Sequence, residues 1–262
     1  MKSFLRVFLP LALFVLIFLP GLTRAQSLDE LLKQGDDYTA KFDNQKALDV
    51  YLQADKVSPN NWEVYWRISR AYVDIAQNMP EKTDEEKDAQ LAEYQKGYDY
   101  ADKAVKLAPG KSITYLRRAI ANGRIALFKG VFSVGGIVNS VKSDCEKAIA
   151  LNNGGDYWQA IAHYVLARTN AKVSEKWAPA RAVLGLGWAD LDVAITEYKK
   201  AIALFPNFRM FYLDLARAYI RDDEYKSARE MLQKVLESPK KDQDDDKRIT
   251  EAKQLLKDIE DE

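Results

Sequence analysis

The feature that most constrains the fold of this chain is a pattern of small and large residues between Ala194 and Lys240. These residues recur at intervals of three and four, which places each set on one face of a helix. Pro206 ends one helix, and Asn207 follows it as a turn residue. The small residues are Ala194, Ala201, Ala216 and Ala228, and the large ones are Tyr198, Tyr212, Leu215 and Leu232. Because helix backbones approach closely only where no long side chain intervenes, the pattern predicts closely packed helix pairs.

This pattern resembles the tetratricopeptide repeat (TPR), a helix–turn–helix unit of about 34 residues with large, small and Pro residues at set places. In the stretch above, these places are occupied by Tyr212, Leu215, Ala216, Tyr219, Ala228, Leu232 and Val235. Near the start of the chain they are occupied by Leu31, Gly35, Tyr38, Ala47, Tyr51, Ala54 and Pro59. The resemblance implies an all-α repeat fold.

Five such units can be placed along the chain, and they end at Pro59, Pro109, Asn153, Pro206 and Lys240. The last two ends lie about 34 residues apart, as in a standard repeat, whereas the earlier units are enlarged. Residues 246–261 predict a further helix. We therefore expect an all-α, elaborated TPR-like array of about five helix pairs plus a closing helix, which forms a single domain over residues 26–262.

Three irregular features accompany the repeats: the triplet Leu166-Ala167-Arg168, a Trp-rich segment at residues 177–188, and an acidic linker before the last helix. Together they resemble the regulator of microtubule dynamics family, over about residues 62–258. Members of this family are helical repeat proteins of membranes and organelle contacts, and they are implicated in binding tubulin, partner proteins or lipid. The resemblance therefore implies a binding function.

The first 25 residues predict a secretory signal peptide that is cleaved. Basic residues precede an apolar run at residues 7–22, and residues 23–25 (Thr-Arg-Ala) form a small-x-small cleavage site. Pro10 and Pro20 bracket an apolar core that is shorter than the roughly 20 residues of a spanning helix. We expect an exported protein, periplasmic or secreted, and retention of the leader as a membrane anchor is the alternative.

The composition argues against several functional classes. The chain has 39 basic and 39 acidic residues, so it lacks the positive excess that predicts nucleic-acid binding. One His and one Cys cannot supply the usual zinc ligands. The acidic run after Asp242 has Lys247 where a calcium loop needs Gly, and Gly135-Gly136 lacks the flanking residues of a phosphate loop. We expect no catalytic activity and no cofactor.

His163 and Cys145 occupy places that other repeats fill with tyrosine. We interpret His163 as a packed substitute for an aromatic residue, since histidines are often partly buried. We interpret Cys145 as a buried and inert thiol, because no cationic or basic activator is set beside it. A catalytic or ligating role is the alternative for each.

A binding surface is the better-supported prediction. The first helix of each pair lines the concave surface of such an array, and Arg70, Arg168 and Arg217 fall at one equivalent place in three repeats. The predicted groove residues are Trp66, Arg70, Leu116, Ile120, Tyr164, Arg168, Met210, Leu213 and Arg217. In the alternative interpretation, the arginines pair with acidic residues of neighbouring helices and the apolar residues belong to the core.

An apolar groove that carries guanidinium groups suits an amphipathic acidic peptide or an aliphatic ligand with an anionic head. We expect a scaffold or adaptor that binds another protein of the envelope. The alternative is a binding or carrier protein for a hydrophobic anionic small molecule such as a lipid.

Two inserted segments, residues 126–138 and 177–188, are too apolar for ordinary solvated loops. We expect them to fold into the groove, to cover a ligand, or to contact a partner or a membrane surface. Filling the interior of the array is the alternative.

Overall fold

The computed structural model describes residues 26–129 and 131–262, except for the side chains of residues 131–133. The expected leader lies outside these residues. The described part of the chain contains twelve α-helices and no β-strand. The helices are α1 (Leu28–Ala40), α2 (Asn44–Val57), α3 (Trp62–Gln77), α4 (Asp84–Leu107), α5 (Ser112–Ala126), α6 (Val131–Leu151), α7 (Asp156–Ser174), α8 (Ala178–Val183), α9 (Leu191–Leu204), α10 (Arg209–Arg221), α11 (Tyr225–Glu237) and α12 (Asp245–Asp258).

The helices pack as successive pairs. The pairs are α1 with α2, α3 with α4, α5 with α6, α7 with α9, and α10 with α11, and α12 closes the array against α10 and α11. In sequence, the short helix α8 lies between α7 and α9, the two members of the fourth pair. The predicted fold class, an elaborated TPR-like array of about five pairs plus a closing helix, is confirmed.

Small residues lie where the helices approach each other. Ala194, Ala201, Ala216 and Ala228 are all completely buried, as the repeat pattern predicts. The turns also follow the prediction: α9 ends at Leu204, just before Pro206, and Asn207 adopts a left-handed φ of 64°. Asparagine tolerates this backbone conformation better than most residues do.

Side-chain caps define several helix starts. Thr83 accepts a hydrogen bond from the Glu86 amide, and the Glu86 side chain accepts one from the Thr83 amide, which confirms the predicted capping box of α4. The closing helix begins at Asp245, within one residue of the predicted start. No helix in residues 26–129 and 131–262 combines the length and the apolar character that crossing a bilayer requires.

The two inserted segments pack against each other. Val138 in the first insert and Leu186 in the second belong to one buried cluster, which also includes Val173 at the end of α7. The Trp188 indole donates a hydrogen bond of 2.7 Å to Asn139. Gly135 lies close to the backbone of Leu184 in the second insert, and a β-carbon at Gly135 would come within 2.7 Å of the Leu184 carbonyl oxygen. The inserts therefore pack against each other and against the end of α7, while most residues of the second insert stay exposed.

Part of the inserted region stays exposed. Leu127, Trp177 and Val183 retain 73%, 75% and 85% of their surface, respectively. Leu127 follows the last residue of α5, Trp177 precedes the first residue of α8, and Val183 is the last residue of α8. The expectation that the inserts contact a partner or a membrane stays a prediction for these residues.

Candidate functional site

The candidate site lies on the first-helix face, by which we mean the surface formed by the first helices of successive pairs: α1, α3, α5, α7 and α10. Along this face α3 contacts α5, α5 contacts α7, and α7 contacts α10. Side chains at equivalent places of successive repeats therefore come together. Two cavities open on this face.

The larger cavity, which we call the tryptophan cavity, has a volume of about 200 Å³ and lies at the N-terminal ends of α3, α5 and α7. It is lined by Trp62, Glu63, Trp66, Arg67, Lys111, Ile113, Asn153, Gly154 and Trp158. The rings of Trp66 and Trp158 meet edge to face, with their centroids 5.9 Å apart. Three indoles thus surround a space of side-chain size.

Local sequence explains this arrangement. The Asn61 side chain accepts a hydrogen bond from the Glu63 amide and so caps α3. Trp62 and Trp66 follow one helical turn apart, which puts both indoles on one face. The Asn153 side chain accepts a hydrogen bond from the Ser112 amide at 2.9 Å. It also donates one of 2.7 Å to the Gly110 carbonyl, so it joins the turns that precede α5 and α7.

Cationic side chains cover the indoles. The Lys111 ammonium lies 5.4 Å from the centroid of the Trp62 ring. The Arg67 guanidinium lies 4.3 Å from the Trp66 ring, and the Arg117 guanidinium lies 4.6 Å from the Trp158 ring. All three separations are within the range of cation–π attraction. The indole rings around this cavity are therefore already in contact with cationic side chains of the protein.

These cations differ in how they are neutralised. Arg67 donates to Asp36 at 3.0 Å, and Arg70 donates to Asp74 at 3.3 Å. Arg117, by contrast, makes no ion pair or hydrogen bond with a described residue, and its buried Nε has no partner. Burial, and then the neighbouring charge of Arg70, lower the pKa of Arg117 to about 10. The group still carries its charge at neutral pH.

The smaller cavity, of about 40 Å³, lies between α7 and α10, and we call it the arginine cavity. It is lined by Arg168, Ala171, Lys172, Glu175, Tyr198, Asp214, Arg217, Ala218 and Arg221. Asp214 is its central acidic group: it accepts a hydrogen bond of 2.6 Å from Tyr164 and ion-pairs with Arg217. The Arg168 Nη1 atom lies 3.8 Å from Asp214 and donates to the Tyr164 hydroxyl.

Electrostatic interactions in the arginine cavity favour the charged forms of Arg168 and Arg217 by raising their pKa values. Interaction with Tyr164 and then with the Asp214 carboxylate raises the pKa of Arg168, and together they outweigh the opposing effect of burial. The side chains of Arg168 and Arg217 remain 42% and 41% exposed. Each is thus held in place by the protein while its outer edge faces solvent.

The structure divides the predicted groove residues into three groups. Trp66 lines the tryptophan cavity. Arg70 does not line it, but its guanidinium lies 5.8 Å from the centroid of the Trp158 ring. Arg168 and Arg217 meet through Asp214 at the arginine cavity. The other predicted residues belong to the core or pack against it: Leu116, Tyr164 and Leu213 are 1%, 4% and 2% exposed, while Ile120 and Met210 are partly buried.

The core residues among the predicted set offer a ligand almost no surface. Leu116 and Leu213 are covered by neighbouring helices, as the alternative interpretation held. The pairing of Arg168 and Arg217 with acids of the chain also follows that interpretation. A role of the predicted residues in binding a partner stays a prediction.

Several residues of the two cavities were missed by sequence reasoning. Trp62 is the first residue of α3 and Trp158 lies in the first turn of α7, and this shared place near a helix N-terminus is a signal that could have identified them. Arg117 stands two places after Tyr115, as Arg67 stands two places after Tyr65. Aligning the repeats at this place would have shown a second, inner set of arginines.

His163 and Cys145 have structural roles. The Nδ1 atom of His163 lies 2.5 Å from a carboxylate oxygen of Glu197 in a buried contact between α7 and α9. Cys145 is completely buried, and burial raises the pKa of its thiol. This environment disfavours the reactive thiolate, in agreement with the interpretation of Cys145 as inert.

A family model with the description Regulator of microtubule dynamics protein 1-3 matches residues 26–260. Among solved structures, the chain is similar to TTC0263, a thermophilic TPR protein of Thermus thermophilus. The identity is 19% and the TM-score 0.62, over 88% of this chain and 100% of that chain. It is also similar to PilF of Pseudomonas aeruginosa, at 10% identity and a TM-score of 0.54, over 88% and 91% of the two chains. The chain matches no curated protein. At these identities the structural likeness shows the fold alone, and it confirms the predicted TPR-like array.

Proposed function

This chain belongs to the family Regulator of microtubule dynamics protein 1-3, and we propose that it is a non-catalytic adaptor that binds an acidic segment of another protein on its first-helix face. The observation that carries this proposal is the composition of the two cavities on that face. Both combine arginine or lysine with apolar side chains. An acidic, partly apolar peptide complements such a surface.

The distribution of charge favours an acidic partner over a basic one. At the arginine cavity, Arg168, Lys172, Arg217 and Arg221 face the carboxylates Asp214 and Glu175. In the lining of the tryptophan cavity, Arg67 pairs with Glu63, whereas Lys111 forms no ion pair with a described carboxylate. Arg117 contacts two of the lining indoles from outside the lining and likewise forms no ion pair among the described residues. Cations thus exceed carboxylates in the lining of the arginine cavity, and they are incompletely neutralised at the tryptophan cavity.

The sizes of the cavities favour a peptide over a whole lipid. Pockets that enclose drug-sized ligands have volumes of about 300–1,000 Å³. The tryptophan cavity, with about 200 Å³, and the arginine cavity, with about 40 Å³, are smaller. Each suits a single side chain or a carboxylate, as in a peptide that binds along a surface.

Selection from a random peptide library tests the proposal. Twelve-residue peptides displayed on phage and selected on the purified protein are expected to be enriched in Asp and Glu. Because the contacts are charged, the affinity of a selected peptide should fall as salt rises. Arg168→Gln and Arg217→Gln should each weaken binding roughly 10-fold or more, the equivalent of one charge-assisted hydrogen bond.

A matched control separates a loss of binding from a general loss of charge. Lys147 is an exposed lysine of α6, a second helix of its pair, and forms no ion pair among the described residues. Lys147→Gln should leave peptide affinity unchanged. Selection of neutral or basic peptides, or equal affinity of the two arginine variants and the unaltered protein, would rule out the proposed function.

We include export in the proposal, so that the partner is a protein of the envelope. The support comes from the apolar run at residues 7–22 and the small-x-small site at residues 23–25. The intact mass of protein recovered from an exporting host tests this part. Cleavage after Ala25 is expected, and an N-terminus at Met1 would contradict it.

A further inference from the structure

Arg117 is a buried cation that forms no ion pair with any residue that the structure describes. Only 6% of its surface is exposed, and its Nε atom has no hydrogen-bond partner. The adjacent residue shows the contrast: Arg118 donates hydrogen bonds of 2.8 Å to both Asp102 and Asp144. Within the part of the chain that the structure describes, Arg118 is thus neutralised and Arg117 is not.

An unpaired buried charge costs stability. Buried ionic groups are normally paired and hydrogen-bonded, because desolvation of the charge must be offset. The downward shift of the Arg117 pKa, due first to burial, is the signature of this cost. Contacts with the Trp158 ring at 4.6 Å and the Trp66 ring at 5.8 Å offset part of it. They leave the buried Nε donor without an acceptor among the described residues.

The residues around Arg117 indicate which kind of ligand group could pair with it. The same two indoles that hold Arg117 also line the tryptophan cavity, which is open and of side-chain size. Open indole faces would attract a cationic ligand, but here Arg67 and Lys111 already lie over Trp66 and Trp62. A cationic ligand would be repelled by these like charges, whereas a carboxylate could accept hydrogen bonds from the guanidinium of Arg117.

We infer that Arg117 and the tryptophan cavity anchor the acidic segment: an apolar side chain of the bound peptide enters the cavity, and a neighbouring carboxylate pairs with Arg117. This inference rests on the proposed function and names the place where specificity arises. Arg168 and Arg217 then contribute charge along the face, while Arg117 selects a peptide that carries an apolar residue beside an acidic one.

The test compares binding and stability in the same variant. The probe is a synthetic peptide, acetylated and amidated, with the sequence Glu-Glu-Phe-Glu-Glu, and its matched control has Gln at each Glu. Binding is measured by calorimetry and by the tryptophan emission of the protein. The unaltered protein should bind the acidic peptide, change its emission, and bind the Gln version roughly 10-fold more weakly or worse.

Arg117→Met removes the charge but keeps an unbranched apolar side chain between the indoles. We expect this variant to lose roughly 10-fold or more in affinity for the acidic peptide. Its unfolding midpoint should be equal to or higher than that of the unaltered protein, because an unpaired buried charge has been removed. Arg117→Lys, which keeps the charge, should bind with intermediate affinity and serves if the Met variant does not fold. Lys147→Met, with the same change of net charge, should bind normally.

Four outcomes would overturn the role of Arg117 as an anchor. A less stable Arg117→Met variant that binds the acidic peptide as tightly as the unaltered protein would make Arg117 a structural residue and overturn the anchor. The same holds if vesicles of phosphatidylserine and phosphatidylcholine, but neither peptide, bind in an Arg117-dependent manner. If library-selected acidic peptides depend on Arg168 and Arg217 but not on Arg117, the anchor fails and the proposed function stands. If no acidic peptide is selected at all, both fail.

Discussion

The hydroxyl of Tyr164 donates a hydrogen bond of 2.6 Å to the carboxylate of Asp214, and this bond joins the fourth repeat to the fifth. Asp214 is only 7% exposed and also forms an ion pair with Arg217 of its own helix. Arg217 in turn pairs with Glu251 of α12. One buried carboxylate therefore connects α7, α10 and the closing helix.

Tyr164→Phe is expected to destabilise the protein by about 1.5–3 kcal/mol, the value of a hydrogen bond to a charged group. The ring stays packed, so the loss reflects the hydroxyl alone. Denaturant unfolding measures it. Tyr225→Phe is the control, because the Tyr225 hydroxyl bonds to Asp223 at the exposed surface. A Tyr164→Phe variant as stable as this control would show that Tyr164 does not tie the repeats together.

Gly35→Ala should destabilise the first repeat. A β-carbon at Gly35 would overlap the ring of Tyr51, which is 1% exposed and donates a hydrogen bond of 2.7 Å to Asp36. Overpacking of a fixed ring costs about 1–3 kcal/mol or more. Alanine recovers about 1 kcal/mol through its higher helix propensity. We expect a net loss in the free energy of unfolding.

Gly110→Ala is the matched change, because no atom lies within 4 Å of the position of its β-carbon. This variant should be as stable as the unaltered protein. Equal stability of the two alanine variants would contradict the close contact between α1 and α2 at Gly35.

Ala216→Leu tests the packing of the regular repeat. Ala216 is completely buried in the cluster that α10, α11 and α12 share. A larger side chain there should cost about 1–3 kcal/mol through overpacking. Ala89→Leu, at an exposed site of α4, makes the same chemical change and should have little effect. An Ala216→Leu variant with an unchanged denaturation midpoint would disprove this packing.

The helix pairs were predictable because their determinants are periodic. Ala201, Ala216 and Ala228 recur at helical spacing among tyrosines and leucines, so each helix reveals its buried face without knowledge of its neighbour. The turns were predictable for a similar reason, since Pro206 and Asn207 restrict the backbone locally. Local rules thus explain the fold class.

The candidate site was less predictable because its contacts join distant parts of the chain. The spacing of Asp214 and Arg217 on one helix indicates their ion pair, but nothing in the sequence indicates that Arg168 of α7 also lies near Asp214. The register also placed Leu213 at the groove, although α11 and α12 bury it. Arg117 received no interpretation from the sequence, and its lack of an ion pair among the described residues becomes visible only when α3, α5 and α7 are assembled. The hydrogen bond between Trp188 and Asn139 of the two inserts likewise joins residues far apart in sequence, so the sequence alone did not predict it.

The buried contact between His163 and Glu197 predicts a pH dependence of stability. Glu197 is 8% exposed, its oxygens lie 2.5 Å from His163 Nδ1 and 2.6 Å from Lys200 Nζ, and the contact with His163 holds α7 and α9 together. Burial would raise the pKa of Glu197, but the hydrogen bonds from His163 and Lys200 outweigh it. The pKa in the folded protein is therefore lower than the ordinary value of 4.5.

Because the folded-state pKa of Glu197 is depressed, its contribution to stability is fully present above the unfolded pKa of 4.5. It is lost as the pH falls through the lower, folded pKa. Glu197→Gln should accordingly reduce the free energy of unfolding at neutral pH and flatten its decline below about pH 4.5. Urea unfolding across this range measures the effect, with Glu230→Gln, an exposed carboxylate of α11, as the control. Parallel pH profiles for Glu197→Gln and the unaltered protein would show that the carboxylate contributes no pH-dependent stability.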